Sequence, residues 1–214
     1  GSPLDARTAT RGRTALRIAV DDDRLASVKR LLALKADPNV PDGRGWTTVH
    51  EAASRFDRKL LRLLLRAGGD PARPDDQGRT ALMMAGFNGH TAIMLRLLNA
   101  GAKIETRDST GRTVLMYTST GPNAQAVQLL LDRGAKVNVV DGGEHWSPLM
   151  FAAAEGQLEV VKLLLAKGAD RSHQDIDGET AAMFAASKGH TAVAALVAPE
   201  PAANKAPAPP APSR

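Results

Sequence analysis

Gly45-Trp46-Thr47, Gly78-Arg79-Thr80 and Gly111-Arg112-Thr113 stand 33 residues apart. The same Gly-x-Thr string occurs at Gly12-Arg13-Thr14 and again at Gly178-Glu179-Thr180, and His145-Trp146-Ser147 is a degenerate copy. Counted from Thr14, the steps are 33, 33, 33, 34 and 33; the longer one holds an extra residue in Asp141-Gly142-Gly143-Glu144-His145. Other positions repeat in phase. Five residues after the Thr or Ser come Ala19, Ala52, Ala85, Thr118, Ala152 and Ala185. Seventeen and eighteen residues after it come Leu31-Leu32, Leu64-Leu65, Leu97-Leu98, Leu130-Leu131, Leu164-Leu165 and Val197-Ala198. Self-similarity at one fixed period is the mark of a solenoid built from stacked copies.

Each copy reads as two short helices. Thr or Ser caps the first, its hydroxyl accepting a bond from an orphaned N–H. Pro148, just after Ser147, loses nothing by lacking an N–H there. Gly89, Gly156 and Gly189 break the chain before a second helix whose apolar residues follow a helical period, as in Val160, Val161 and Leu163 to Leu165. Gly68, Gly101, Gly134 and Gly168 supply its left-handed end. A polar Asp/Gly stretch then turns into the next copy. One such unit cannot bury its own apolar face, so the copies must stack.

Thr47-Thr48-Val49-His50-Glu51-Ala52 and Ser147-Pro148-Leu149-Met150-Phe151-Ala152 resemble the T-P-L-H-x-A segment of the ankyrin repeat family. The resemblance covers residues 9–198. It implies an all-α repeat solenoid: an ankyrin stack of helix-turn-helix units with projecting β-turn or hairpin fingers. The copies expected are 9–41, 42–74, 75–107, 108–140, 141–174 and 175–198. Residues 1–8 read as a tag remnant or leader, with Gly1-Ser2 as a cleavage scar. Residues 199–214 form a Pro/Ala-rich tail that reads as disordered or polyproline-like, or else as an extended segment against the domain or a partner; the apolar last copy is expected to be covered by this tail or by a partner. His50 is the one residue matching the family's inter-repeat His; Met83, Met116, Met150 and Met183 replace it elsewhere, and Arg17 in the first copy. Met is expected to substitute packing for hydrogen bonding, giving a softer stack.

With 43 % hydrophobic and 24 % charged residues the chain is globular, and 3 % aromatics leave the core to Leu, Ala, Val and Met. No apolar run is long enough for a membrane span. The absence of cysteine excludes disulfides, Cys-ligated zinc and thiol catalysis. Nucleophile, phosphate-loop, dinucleotide and zinc-protease strings are missing. Asp175-Ile176-Asp177-Gly178 lacks the spaced acids and terminal Glu of a calcium loop, and His145 with His173 makes a poor zinc site. The chain is therefore expected to be no enzyme, with no cofactor and no metal.

The family's binding surface implies the finger tips and the exposed ends of the first helices. On the fingers, the residues before the Thr or Ser are Arg13, Trp46, Arg79, Arg112, Trp146 and Glu179, expected to face solvent, with Arg44 beside them. Trp and Arg dominate binding hot spots. Alternatively each Trp clasps a neighbouring finger, and the arginines pair with Asp42, Asp75, Asp76 and Asp108. In the groove come Arg55, Phe87, Asn88, Thr120, Glu155 and Lys188; Phe87 is an apolar ring in a polar slot. Tyr117, Phe151 and Phe184 read as core.

The resemblance implies a protein partner. Residues 1–107 carry 19 Lys/Arg against 12 Asp/Glu, so that partner can be acidic. The Met-bearing, Arg-rich copies look like bacterial ankyrin proteins, which implies an inhibitor or immunity partner of an enzyme or toxin, or an accessory factor of an enzyme such as catalase. Nucleic-acid binding by the basic half is the alternative, disfavoured because Asp21-Asp22-Asp23 interrupts it. The free chain is expected to be a monomer in the bacterial cytoplasm or periplasm. The missing cysteines, the trimmed start and the tail favour the periplasm.

Overall fold

A computed structural model of the chain describes residues 3–9 and 11–198. Gly1, Ser2 and the Pro/Ala tail, on which two of the sequence expectations fall, lie outside them. Among the described residues a 3-10 turn at Pro3–Asp5 is followed by twelve helices in six pairs. The inner helices, one per copy, are α1 (Ala15–Asp21), α3 (Thr48–Ser54), α5 (Ala81–Phe87), α7 (Val114–Ser119), α9 (Pro148–Ala154) and α11 (Ala181–Ser187). The outer helices are α2 (Leu25–Ala33), α4 (Arg58–Arg66), α6 (Thr91–Asn99), α8 (Ala124–Asp132), α10 (Leu158–Ala166) and α12 (Thr191–Val197).

Helices this short are unstable in isolation. Capping and stacking hold them. Thr14, Thr80, Ser147 and Thr180 accept bonds from the backbone N–H three residues on. Inner helices pack on inner helices and outer on outer from one copy to the next. One continuous core runs from Leu16 to Val197, with Leu61, Leu64, Leu82, Ile93, Leu97 and Leu130 fully buried. Burying a Leu or Ile contributes roughly 1.5–3 kcal/mol.

The fingers are turns. The only strand-type pairings among the described residues are single bridges, Pro74 with Thr80 and Gln174 with Thr180. An Asp ahead of the helix cap folds each finger: Asp42, Asp75, Asp108 and Asp175 each accept two finger N–H bonds, and Asp141 accepts that of Trp146. Successive tips are then joined backbone to backbone. Gly43 N–H donates to Arg11 O (3.2 Å), Asp76 to Arg44 (3.1 Å), Ser109 to Gln77 (2.8 Å), Gly142 to Thr110 (2.8 Å) and Ile176 to Glu144 (3.2 Å).

Four non-glycine residues have positive φ: Asp23, Lys35, Phe56 and His145. Each occupies a place where other copies carry Gly. Lys35 is tolerated because its counterparts, such as Gly68 (φ +89°), face open space. Gly78 (φ +76°) differs: a Cβ there would lie 2.9 Å from the backbone of Asp108 and Ser109 on the next finger. Gly68→Ala is therefore expected to cost about 1 kcal/mol, the left-handed penalty alone. Gly78→Ala is expected to cost at least about twice that, because the finger ladder must open. Urea unfolding of the two variants checks the ratio.

Candidate functional site

The inner helices and the fingers together form one face of the stack, to which four positions of every copy contribute. These are the residue before the cap and those four, seven and eight places after it. The residues expected to bind a partner occupy these positions, except Arg44, which stands on the finger three places before the cap, and they are in different states.

The tryptophans are not the solvent-facing pair expected. Trp46 is half-buried, its ring 5.3 Å from that of His50, with the guanidinium groups of Arg44 and Arg79 over it at 5.8 and 5.7 Å. Its indole N–H is buried with no acceptor among the described residues. Trp146, also half-buried, stacks on Phe184 at 4.3 Å and meets Phe151 at 5.2 Å. Both clasp neighbouring copies, because a wide ring beside a finger gains more from covering the next copy than from standing in water.

The arginines are tied down too. Arg13 pairs with Asp21 (2.9 Å), Arg79 with Asp75 (2.7 Å), and Arg44 with Asp42 (3.5 Å). Arg112 sits 3.5 Å from Asp141 and over the Phe151 ring at 5.0 Å. Arg55, at the exposed end of α3, grips Glu51 (2.6 Å) and Asp23 (3.1 Å). Asn88, Glu155 and Lys188 are exposed at the C-caps of α5, α9 and α11.

Phe87 remains. It is 55 % exposed at the end of α5, and its ring stands edge-on to Tyr117 at 6.5 Å. Phe151 and Phe184 are buried as expected of core residues. Tyr117 departs from that expectation: it is half-buried in the groove, and its hydroxyl donates to Asp108 Oδ2 at 2.6 Å. Burial, reinforced by the Asp108 carboxylate, pushes the Tyr117 hydroxyl well above its ordinary range. Burial works to raise the Asp108 pKa, but the bonds from Tyr117, Thr110 and two backbone amides outweigh it and lower it. Tyr117 is thus held neutral and aimed, with Phe87 beside it.

The tie between copies also differs from expectation. His50 is 1 % exposed. Its Nδ1 accepts from the Thr47 amide (3.2 Å), and its Nε2–H donates to the Arg79 carbonyl of the next copy (3.1 Å). Met83 and Met116 are not packing residues alone: each sulfur sits 3.4 Å from the amide of its own capping Thr. They keep the cap and lose the bond between copies. Met183, at the same place in the last pair, is 53 % exposed because no described copy follows it.

Arg17 is the residue whose role sequence reasoning missed. Only 5 % exposed, it donates to Asp21 (2.8 Å), to Glu51 of the next copy (2.8 Å) and to the Trp46 and Thr47 carbonyls (3.3 and 3.4 Å). Burial opposes ionisation of Asp21, but Arg17 and Arg13 outweigh it and lower its pKa. The signal was present: an Arg where the other copies put His or Met, an acid four residues on and another in the following copy. Above it opens a recess of about 730 Å³ bordered by Arg11, Arg13, Arg44, Asp42 and Glu51. Apart from Arg11 its charged walls are paired with one another, unlike the mainly apolar lining of small-molecule sites. Among the described residues no group of His, Asp or Glu could hold a metal ion. His173 instead meets the His145 carbonyl at 2.8 Å.

A family model described as ankyrin repeats (3 copies) matches residues 16–108, 49–141 and 105–175. The chain belongs to the ankyrin repeat family. Among curated proteins it is 49 % identical over 51 residues to the rice (Oryza sativa subsp. japonica) probable E3 ubiquitin-protein ligase XBOS33, covering 24 % of this chain and 10 % of the relative. It is 38 % identical over 66 residues to the neurogenic locus notch homolog protein 1 of Xenopus tropicalis, covering 31 % of this chain and 3 % of the relative. The chain thus spans a tenth or less of these relatives' length. As an ankyrin repeat stack it is a protein–protein interaction module. No helix among the described residues is long and apolar enough to cross a membrane.

Two outcomes follow from these ties. Arg17→Met removes the buried partner of Asp21 and Glu51 and is expected to cost about 3 kcal/mol, the lower end for breaking such a pair, because Asp21 keeps Arg13 and Glu51 keeps Arg55. Chemical denaturation measures it. Burial, the largest influence, lowers the His50 pKa. The unfolded chain then takes up a proton that the folded chain refuses, so His50 contributes most above its ordinary pKa of about 6.5 and loses this contribution as pH falls. The stability difference between wild type and His50→Met is expected to shrink on going from about pH 8 to about pH 5. A difference independent of pH contradicts the assignment.

Proposed function

We propose that the concave face holds a partner protein, with Phe87 and Tyr117 as its centre and the finger ridge as a rigid rim. Arg13, Arg44, Trp46, Arg79, Arg112 and Trp146 build that rim, while Arg55, Asn88, Glu155 and Lys188 supply polar contacts at the inner helix ends. The observation that carries this reading is the exposed Phe87 ring. A phenyl group more than half exposed gains little for folding. Every other aromatic ring on this face is at least half-buried. Aromatic anchors surrounded by polar rims are the pattern of binding hot spots. The prebuilt salt bridges support it further, since a rigid face loses little conformational entropy on binding.

The finer reading is an accessory role toward a bacterial enzyme or toxin, as inhibitor or immunity partner. The dense Arg on the first half of the rim suits an acidic surface on that partner. A cognate enzyme whose activity is unchanged at saturating concentrations of this protein would contradict the inhibitor role.

Phe87→Ala is expected to weaken partner capture by about 2 kcal/mol, roughly thirtyfold, the scale of a hot-spot truncation. The fold should be unaffected, because the ring is largely exposed. Trp46→Ala and Trp146→Ala are expected to lower thermal stability as well as capture. Affinity capture alongside thermal unfolding separates the two kinds of loss. Undiminished capture by Phe87→Ala would move the site off the groove.

A further inference from the structure

The outer helices carry an uneven charge that folding does not explain. The segments of α2, α4 and α6 read LASVKRLLA, RKLLRLLLR and TAIMLRLLN. They contain Lys29, Arg30, Arg58, Lys59, Arg62, Arg66 and Arg96 and no acid. All seven are exposed. Arg58 covers the Phe56 ring at 5.6 Å. The other six make no ion pair with any described residue. The acids nearest the helix ends are engaged elsewhere: Asp57 caps α4 through the Lys59 and Leu60 amides, Asp22 meets Arg24, and Asp37 and Asp70 brace backbone amides. By contrast α8 and α10 carry Asp132 and Glu159, bonded to Lys167 and Lys162.

Position equivalence places these cations on one face. Lys29 and Arg62 occupy the same place in neighbouring copies, with Leu95 next in the row. Arg30 and Arg96 lie in the adjacent row, and α2, α4 and α6 pack side by side. Arg30, Arg66 and Arg96 sit in last turns, where a cation suits the helix dipole, but the rest of the arrangement works against the helix. Arg58, Arg62 and Arg66 repel at i,i+4 spacing. Arg58 and Lys59 stand at the positive end of the α4 dipole. Cations at Lys29, Lys59 and Arg62 that make no ion pair among the described residues mark a surface kept for something else.

We propose that this outer face binds the anionic headgroup surface of a lipid bilayer. The cations form a broad patch across three parallel helices. A two-dimensional array of anions matches that better than a single acidic pocket. Leu34 and Leu95 are exposed on these copies, and a shallow cleft of about 340 Å³ between α4 and α6 joins Leu65 and Leu95 to Arg96. That pairing of apolar wall and cation suits an amphiphile. The three segments hold no aromatic residue on which a nucleic-acid base could stack, and the Phe56 ring just ahead of α4 is already engaged by Arg58 and His90. The proposed protein-binding face is built from the inner helices and fingers, not from these outer helices, so a protein partner can be held while the outer face rests on lipid.

Co-sedimentation with 1:1 phosphatidylglycerol–phosphatidylcholine vesicles tests this. The protein is expected to bind them at low salt, to ignore pure phosphatidylcholine, and to release at ~1 M salt, where screening acts within ~3 Å. Arg62→Glu/Arg66→Glu should bind at least about tenfold more weakly, because each cation near a bilayer contributes severalfold. Lys103→Glu/Lys136→Glu, with the same net charge but off the patch, should bind as wild type. Phe87→Ala should too, which keeps this outcome separate from that of the groove. Thermal unfolding confirms that all variants fold. No anionic preference, equal loss in both double variants, or tighter binding to duplex DNA at matched ionic strength would each overturn the proposal.

Discussion

The close approach of successive finger tips sets the geometry of the whole stack. Each tip donates one backbone N–H to the carbonyl of the tip before it. At Gly45, Gly78 and Gly111 the tips come so close that a Cβ would strike the next finger, as it would at Gly78 against Asp108 and Ser109, whereas the last junction accommodates a left-handed His145. The Asp inside each finger fixes the turn, and the cap residue starts the inner helix directly behind it. Once the tips are in register, the inner helices must lie side by side, and their small residues, Ala52, Ala85 and Ala152, let them do so with no exposed surface. The apolar face of each pair then closes on the next, and a chain poor in aromatics buries a continuous core.

The stack is not tied equally along its length. The first junction is held by a buried arginine among two carboxylates and two carbonyls, the second by a neutral histidine. Where Met83 and Met116 follow, the thioether keeps the helix cap but sends no hydrogen bond onward. Further along, Trp146 bridges to Phe151 and Phe184. At these positions polar ties hold the early junctions and aromatic packing a later one, while Asn123, Asn138 and Gln157 still hydrogen-bond from copy to copy in the later part of the stack. The paired charges of the rim also follow from this, because each finger Asp that organises its turn leaves a carboxylate oxygen beside an arginine.

The fold was legible in the sequence because a fixed period imposes itself on residue types that only backbone geometry demands. The caps, the left-handed glycines and the helix pairs all stand where the 33-residue step puts them. The site was less legible. Periodicity says which position faces the groove but not what a side chain does there. Trp46 and Trp146 share a position with arginines, and only the neighbouring rings show that they fold inward. Arg17 read as a failed histidine, because its partners Asp21 and Glu51 come from two copies. Tyr117 read as core, because its bond to Asp108 needs the finger to fold back over the helix. Phe87 was visible from sequence, since a ring in an otherwise polar row has no periodic explanation.

The central claim is that the concave face, centred on Phe87 and Tyr117, is where a partner protein sits. The most direct measurement is photo-crosslinking in the source cell, with a photoreactive residue placed at Asn88 in one version and at Gln128, on outer helix α8, in another. Cross-linking of one defined protein from position 88 and none from position 128 is the predicted result. The same protein cross-linked from 128 but not from 88 would contradict the account.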